Sequence, residues 1–403
     1  MNTDLSYAIR TGNWLIHNQV KEVPHVNPTS MDVGRFPVNM HIHEHKIVDG
    51  FLSTNWFTGM SIYALLMLRD LTGEQRWLES AELAGNYIRA LQITMDKKPE
   101  VHGAIYEYAP YAKMSLVRDS LSAAWGLLRL YRATGNEEYL DRVKLFAKWH
   151  MTQAMPNGYP IGFHFLGAKP NITWLGGFQA GSANFYMDLH EVTGKKTYLN
   201  AGRRILDFFV ANFWDDVSGI RIKVDPETGY KGDDPTPGNE DWNEMHKFND
   251  DFDSVALMLY GVKTGNRRYI DFVDTYMKWC LSMQNEDGSF GKLRLEESSC
   301  VTALNLLNAG LILGKQEYFD AAQRARAHLM KSYQQDETCP FVDGGVLGLK
   351  HCQRPEQPNM ISLRVTSYTV YTMTLFGLIE SHHRGEPIAD ALRTNPMFPC
   401  LRQ

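Results

Sequence analysis

A Thr-Gly turn that recurs at near-regular spacing constrains the fold of this chain more than any other sequence feature. Thr72, Thr134, Thr193 and Thr264 each precede a glycine that an aromatic residue follows four positions later, and a degenerate copy begins at Leu313. The intervals between the threonines are 62, 59 and 71 residues. Each turn follows an apolar helical pattern and precedes another helical pattern. Because the glycine suits a left-handed helix end and the link is short, each turn predicts two antiparallel helices.

Helical hairpins of this kind cannot bury their apolar faces alone, so they must stack on one another. The first helix of each pair is apolar nearly all round, which suits an inner ring, and the second is amphipathic, which suits an outer ring. The terminal segments SYAIRTGNWLIHNQV and SLRVTSYTVYTMTLFGLIESHH would complete the ring. The sequence therefore predicts an all-α fold, an (α/α)6 toroid of helical hairpins, as one domain over residues 1–403. An open solenoid is the alternative, because the pattern does not determine closure.

The connections between hairpins are long, and all of them lie at the amino-terminal ends of the predicted inner helices. They span roughly residues 95–117, 152–177, 214–248, 285–298 and 334–363. Long structured loops in a compact domain usually carry function. Aromatic residues stand in them beside many acidic residues and histidines: Tyr106, Tyr108, Tyr159, Trp174 and Trp242. Since sugar sites combine aromatic faces with carboxylates, we expect an oligosaccharide site on this face.

Composition excludes several other classes of protein. The formal net charge is −5 over 403 residues and no block of five basic residues occurs, so nothing favours nucleic-acid binding. No stretch approaches the roughly 18 apolar residues of a membrane span. The five cysteines are widely spaced and the start has no signal-peptide pattern, so we expect a cytoplasmic protein with reduced thiols. The oligomeric state is not predicted.

Asp119 is the strongest catalytic candidate. It opens the predicted second inner helix, in LVRDSLSAAWGLLRLYRATG, fifteen residues before Thr134. The corresponding positions in three other repeats are Phe57, Phe178 and Asn249, so the repeat itself does not require a carboxylate there. The alternative is a helix N-cap, a role for which Asp is strongly preferred.

The segment VRDSLSAAWGLLRLYRATGNEEYL resembles the stretch around the catalytic Asp of unsaturated glucuronyl hydrolases and unsaturated rhamnogalacturonyl hydrolases. NWFTGMSIYALLMLRDLTG is similar to their Trp-Thr-Ser-Gly helix, with Trp56 and Gly59 in matching places. WLGGFQAGSANFYMDLHEVTG resembles their Arg-Gly-Gln-Ala-Trp helix only at Gln179 and Ala180, since Gly177 and Gly181 replace the Arg and the Trp. The resemblance spans roughly residues 50–270.

The resemblance implies an (α/α)6 glycoside hydrolase for uronic-acid-containing oligosaccharides. In these families the Asp protonates the C4=C5 double bond of an unsaturated uronide and then activates water. Such an acid must hold a proton near neutral pH, which a helix start opposes, so a second carboxyl group should lie nearby. Glu107 and Asp251 are the candidates. Asp241 and Glu244 are further possible partners of Asp119, and a separation of about 6.5–9.5 Å would indicate an inverting glycosidase.

Other residues are candidates for substrate binding. Arg118 and Arg364 each precede or begin an inner helix and are the expected partners of a substrate carboxylate. The remaining candidates are aromatic or hydrogen-bonding side chains near the same helix starts: His43, Trp56, His164, Trp174, Gln179, Trp242 and His246. No cofactor is predicted. His41, His43 and His45 alternate in MHIHEHK, but no further ligand spacing completes a metal site, so none is predicted.

Two other functions fit these residues. A polysaccharide lyase or uronate epimerase would use His or Tyr as a base, and His41, His43, His164 and His246 are available for that role. The missing Arg and Trp of the hydrolase motif favour this alternative. A non-catalytic sugar-binding toroid is the third possibility.

Overall fold

The computed structural model describes residues 3–21, 32–44, 46–47, 54–108, 114–165, 175–248, 251–348 and 359–402. In chain order the helices are α1 (Thr3–Asn18), α2 (Thr54–Thr72), α3 (Gln75–Leu91), α4 (Val117–Thr134), α5 (Glu137–Thr152), α6 (Ser182–Thr193), α7 (Lys196–Asn212), α8 (Glu240–Phe248), α9 (Asp253–Thr264), α10 (Arg267–Ser282), α11 (Glu296–Leu313), α12 (Gln316–Leu329), α13 (Leu363–His383) and α14 (Asp390–Arg393). A 3-10 turn, Pro399–Arg402, follows α14.

Short strands connect the hairpins. They are β1 (Asn39–His41), β2 (Lys46–Ile47), β3 (Met114–Leu116), β4 (Phe163–Phe165), β5 (Leu175–Gly176), β6 (Trp214–Asp215), β7 (Gly219–Ile220), β8 (Lys223–Val224), β9 (Lys231–Gly232) and β10 (Met360–Ser362). They form antiparallel pairs: β1 lies between β10 and β2, β3 pairs with β4, β8 lies between β5 and β9, and β6 pairs with β7. None of them interrupts the helical ring.

The recurrent Thr-Gly turns end the inner helices as predicted. Gly135 follows α4 in the left-handed conformation, at φ 70°, and its N–H donates to the Tyr131 carbonyl. The Thr134 hydroxyl donates to the Leu130 carbonyl at 2.8 Å and accepts the Asn136 N–H at 3.2 Å. Thr and Gly therefore act together: the hydroxyl joins the last turn of one helix to the first residue of the link, and the glycine allows the reversal.

The division into inner and outer helices follows the two hydrophobic patterns. Every residue of α2 from Thr54 to Leu68 is buried. In α7, by contrast, the buried residues are Tyr198, Ala201, Gly202, Ile205, Leu206 and Phe209, which share one face. In the described part of the chain the inner helices are α2, α4, α6, α9, α11 and α13, and α3, α5, α7, α10, α12 and α1 lie outside them.

The ring is closed, because α13 packs between α11 and α2. Ser61 of α2 and Ser367 of α13 place their hydroxyl oxygens 3.1 Å apart. On the other side of α13, the Cys300 sulfur of α11 lies 3.6 Å from the Thr372 hydroxyl. The amino-terminal helix α1 packs outside α13 and so forms the sixth pair from the two ends of the chain. The predicted (α/α)6 toroid is confirmed and the open solenoid is wrong.

The segment after α13 covers the end of the ring at which the inner helices finish. The Tyr63 hydroxyl donates to Asn395 Oδ1 at 2.8 Å, and Asn308 Nδ2 donates to the Met397 carbonyl at 3.1 Å. Asn395 and Met397 are fully buried. The opposite end, where the inner helices begin, is the face that the long connections border. No helix in the described ranges is long and apolar enough to cross a bilayer.

Candidate active site

The inner helices begin at a common face. Asn55 Nδ2 of α2 donates to Ser120 Oγ of α4 at 3.3 Å, and Asn184 Nδ2 of α6 donates to the Phe252 carbonyl just before α9 at 3.0 Å. Each bond joins the start of one inner helix to the start of its neighbour. The ladder β3–β4 leads directly into α4, and β1–β10 leads directly into α13. The helix starts are therefore held together at one end of the ring.

Asp119 lies in the first turn of α4. The N-cap of that helix is Leu116, in extended conformation, so the alternative that Asp119 is the N-cap residue is wrong. Glu107 occupies the adjoining position: it is fully buried, and its Oε1 accepts the N–H of Leu116 at 2.6 Å. Glu107 thus supports the chain where it enters α4. Its predicted catalytic role stays a prediction.

Asp251 and His246 form a buried pair across the link between α8 and α9. His246 Nδ1 lies 3.3 Å from Asp251 Oδ2, and both side chains are 5% exposed. The imidazole stacks on Phe178, with ring centroids 4.5 Å apart, and meets Trp242 edge-on at 4.7 Å. Burial opposes ionisation of Asp251, but His246, Arg364 and Arg118 outweigh it and hold the pKa of this carboxyl below its usual value. Asp251 is therefore an anion at neutral pH.

Arg364 lies in the first turn of α13, above an aromatic face. Its guanidinium carbon is 4.2 Å from the centre of the Trp56 ring, and Nη1 donates to Met245 Sδ. Within the described residues it forms no ion pair shorter than 4 Å, and its buried Nε has no hydrogen-bond partner. A cation over an aromatic ring keeps its charge and its unused N–H donors, and both can bind an anion.

Tyr368 is a residue that the sequence analysis missed. It stands four positions after Arg364 on α13 and is 1% exposed, and its hydroxyl makes no hydrogen bond with another described residue. Burial raises its pKa well above the ordinary value; Asp251 and Asp119 add to the shift, and Arg364 and Arg118 oppose it. These four ionisable groups therefore act on one hydroxyl, which stays protonated. The i,i+4 spacing from Arg364 was the available signal.

Arg118 joins the start of α4 to the link between α8 and α9. It is 3% exposed; Nη1 donates to Ser122 Oγ at 2.6 Å and Nη2 to the Asp251 carbonyl at 2.8 Å. Both glycines that depart from the hydrolase motif lie against backbone. A β-carbon on Gly181 would be 2.2 Å from the Asp251 carbonyl oxygen, and one on Gly177 would be 2.1 Å from that of Arg221. Neither position has room for a side chain.

The structure places the other predicted residues as follows. Gln179 is fully buried and donates to the Ile161 carbonyl at 3.2 Å. His43 is exposed, 5.7 Å from His41 between ring centres, and no group of three or more metal-ligating side chains occurs among the described residues. The backbone of His164 pairs with Ser115 in β3–β4. Trp174 and His45 lie outside the described residues.

Glu244, a possible partner of Asp119 in the sequence, contacts the link between α10 and α11. Its carboxylate accepts the N–H of Leu293 and lines a lateral cavity of about 410 Å³ with Lys247 and Trp279. Trp242 and His246 are on the opposite side of the same helix α8. Tyr159 also differs from its expected role: it is fully buried and donates to the Gly176 carbonyl at 2.8 Å, so it packs the wall rather than facing a ligand.

Comparison with solved structures agrees with this architecture. The unsaturated glucuronyl hydrolase of Bacillus sp. GL1 superimposes with a TM-score of 0.69 at 15% identity, covering 94% of this chain and 97% of that one. The chain has the fold of the unsaturated glucuronyl hydrolases. The enzyme of that name from Streptococcus agalactiae gives a TM-score of 0.66 at 14% identity, covering 93% and 92%.

A second group of glycosidases has the same fold. A family 76 glycoside hydrolase (mannosidase) from Bacteroides thetaiotaomicron gives a TM-score of 0.67 at 12% identity, covering 95% of this chain and 100% of that one. No protein-family model and no curated protein sequence matches the chain. The fold likeness expected from the sequence is therefore confirmed.

Proposed function

We propose that this chain is a glycoside hydrolase that acts on uronic-acid-containing oligosaccharides, and that unsaturated uronides are its substrates. The observation that carries the proposal is Arg364, a half-buried cation over the Trp56 ring whose charge acts on Asp251 and, together with Asp119, on the Tyr368 hydroxyl. It offers an anionic sugar a guanidinium partner next to the acidic groups. The fold likeness to unsaturated glucuronyl hydrolases supports the same substrate class.

In the proposed reaction Asp119 is the proton donor. Its carboxyl group gives a proton to C4 of the unsaturated sugar, and its carboxylate then takes a proton from the water that adds at C5. The hydrated sugar rearranges and frees the next sugar. This role requires that Asp119 be protonated before the reaction, and the anionic Asp251, which acts with Asp119 on the Tyr368 hydroxyl, is the second carboxyl group of the proposed centre. The Tyr368 hydroxyl, which stays protonated, can donate a hydrogen bond in the same place.

The test follows the ultraviolet absorbance of the C4=C5 double bond during incubation with unsaturated uronide disaccharides. We expect the absorbance to fall with wild-type protein and Asp119→Asn to reduce the rate by at least about a hundredfold, as loss of a general acid does. Glu317→Gln, which changes an acid in the first turn of the outer helix α12, should leave the rate unchanged. Loss of signal at equal rates with Asp119→Asn would contradict the assigned role.

A second candidate function rests on the His246–Asp251 pair. A carboxylate 3.3 Å from an imidazole orients it and stabilises its protonated form, which is the arrangement of a base that removes the proton next to a sugar carboxylate. A polysaccharide lyase or epimerase would use it in this way. With intact acidic polysaccharide, a lyase makes the absorbance rise, whereas the proposed hydrolase does not. A sugar-binding protein without activity would bind these ligands and change neither signal.

A further inference from the structure

Arg118 is buried, but its contacts differ from those of a simple structural ion pair. It forms no salt bridge shorter than 4 Å with a carboxylate in the described part of the chain, and its Nη2 instead donates to a backbone carbonyl, that of Asp251. The residues are 133 positions apart. An arginine is costly to bury, so a buried guanidinium bonded to a backbone oxygen must be supported by the surrounding structure.

The carbonyl that Arg118 holds belongs to a strained turn. Asp251 has φ 44° and Phe252 has φ 70°, and both are non-glycine residues in the left-handed region. Such residues persist where their surroundings fix them, and they concentrate at functional sites. Two further bonds fix this turn: Asn184 Nδ2 donates to the Phe252 carbonyl at 3.0 Å, and the Gly181 N–H donates to Asp253 Oδ1. The turn directs the Asp251 carboxylate towards His246.

Gly181 provides the space for this contact. Its backbone is ordinary right-handed helix, φ −55° and ψ −18°, so any residue could adopt its conformation. A β-carbon there would nevertheless lie 2.2 Å from the Asp251 carbonyl oxygen and 3.1 Å from Arg118 Nη2. The glycine is required because of these two neighbours, since no positive φ demands it. Where the hydrolase motif has a tryptophan, this chain brings the Arg118 guanidinium and the Asp251 turn together.

We infer that Arg118 is a positioning residue for the reaction centre: through the space at Gly181 it fixes the 251–252 turn and thereby sets the Asp251 carboxylate against His246. This inference rests on the proposed function, because it takes Asp251 and His246 as part of the reaction centre in which Asp119 acts. The hydrogen bonds of Arg118 go to Ser122 Oγ and to the Asp251 carbonyl, so its proposed effect on the reaction is indirect.

The test compares Arg118→Met and Gly181→Ala with wild-type protein. We expect both to lower kcat by about ten- to a hundredfold with little change in KM, since displacing a catalytic group by about 1 Å has effects of this size. We also expect the acidic limb of the pH profile to move to higher pH in both. The groups that face the Asp251 carboxylate are His246 of α8, Arg118 of α4, and Arg364 and Tyr368 of α13. Losing the Arg118 charge and loosening the His246 contact both raise the pKa of Asp251, so the two effects have the same sign.

Arg129→Met is the matched control. Arg129 is on the same helix and is also buried, at 7% exposure, but it lies over the Tyr63 ring and 3.8 Å from Asp70, at the other end of α4. It should cost stability without moving the pH profile. A shift of equal size in Arg129→Met, or an unchanged profile in Arg118→Met, would overturn the inference.

A second measurement separates this inference from the proposed function. Carbon-13 NMR of labelled aspartate carboxyls, with Asp251→Asn for assignment, follows the titration of Asp251 without any substrate. An upward shift in Arg118→Met and Gly181→Ala supports the positioning role even if no uronide is turned over. An unchanged titration in both variants refutes it even if Asp119→Asn abolishes activity.

Discussion

Arg364→Met removes the charge that we assign to the substrate carboxylate while keeping an unbranched apolar stem over Trp56. The guanidinium carbon lies 4.2 Å above that ring, so the methionine can occupy much of the same space. A hydrogen bond to a charged group contributes about 1.5–3 kcal/mol, which corresponds to a loss of about 10- to 150-fold in kcat/KM. Because the carboxylate does not change during the reaction, we expect most of the loss in KM.

The assay pairs this variant with a change in the substrate. The rate of loss of the C4=C5 absorbance is measured with an unsaturated disaccharide and with its methyl ester, whose carboxyl carries no charge. Wild-type protein should prefer the acid, and Arg364→Met should act on both substrates alike. Testing two proteins on two substrates forms a double-mutant cycle, which isolates the interaction between the Arg364 guanidinium and the substrate carboxylate. Arg384→Met is the control. Arg384 caps the other end of α13, is exposed, and pairs with Glu386 at 2.8 Å. An equal loss on acid and ester would refute the reasoning.

Three further predictions concern stability and are measured by urea unfolding. Burial lowers the pKa of His150 to about 3, so the folded state resists protonation and the free energy of unfolding should fall as the pH drops from about 6.5 towards 3; His150→Phe should flatten this decline. Asp188→Ala should cost about 3 kcal/mol, because the fully buried Asp188 carboxylate accepts the Trp125 indole N–H at 3.0 Å and pairs with the partly exposed Arg132, whereas the exposed Asp141→Ala should cost under about 0.5 kcal/mol. Gly59→Ala should cost about 1–3 kcal/mol, since its β-carbon would lie 2.4 Å from the Ser122 carbonyl. The last two predictions would be contradicted if Asp188→Ala or Gly59→Ala lowered the free energy of unfolding no more than Asp141→Ala does.

Local chemistry explains why the architecture was predictable from sequence. The Thr-Gly turns depend on a hydroxyl, a carbonyl four residues earlier and one glycine, all within a few positions, as in Thr134 and Gly135. The apolar and amphipathic patterns then assigned inner and outer helices. Ring closure was not predictable, because contacts such as Ser61 with Ser367 join residues 306 positions apart and leave no periodic trace.

The candidate site was predictable only in part, for the same reason. The sequence could place Asp119 at the start of an inner helix, but it could not identify Leu116 as the N-cap one turn earlier. The contact of Arg118 with the Asp251 carbonyl needs the folded chain, and so does the missing β-carbon at Gly181. A glycine at that motif position looked like a lost residue. In the structure its missing side chain leaves the space that the Arg118 guanidinium and the Asp251 carbonyl need.

The fold alone does not choose between a neutral and an acidic substrate, because both unsaturated glucuronyl hydrolases and a family 76 mannosidase share it. The exposure of the Trp56 ring bears on that choice. A neutral sugar would bind by stacking its C–H face on an open indole, but Trp56 is 2% exposed and Arg364 covers its ring. A ligand reaching this wall therefore meets a cation before it meets the aromatic face. Since Asp251 pairs with His246 and Arg364 forms no ion pair shorter than 4 Å with any described residue, we expect an anionic sugar to match the Arg364 charge best.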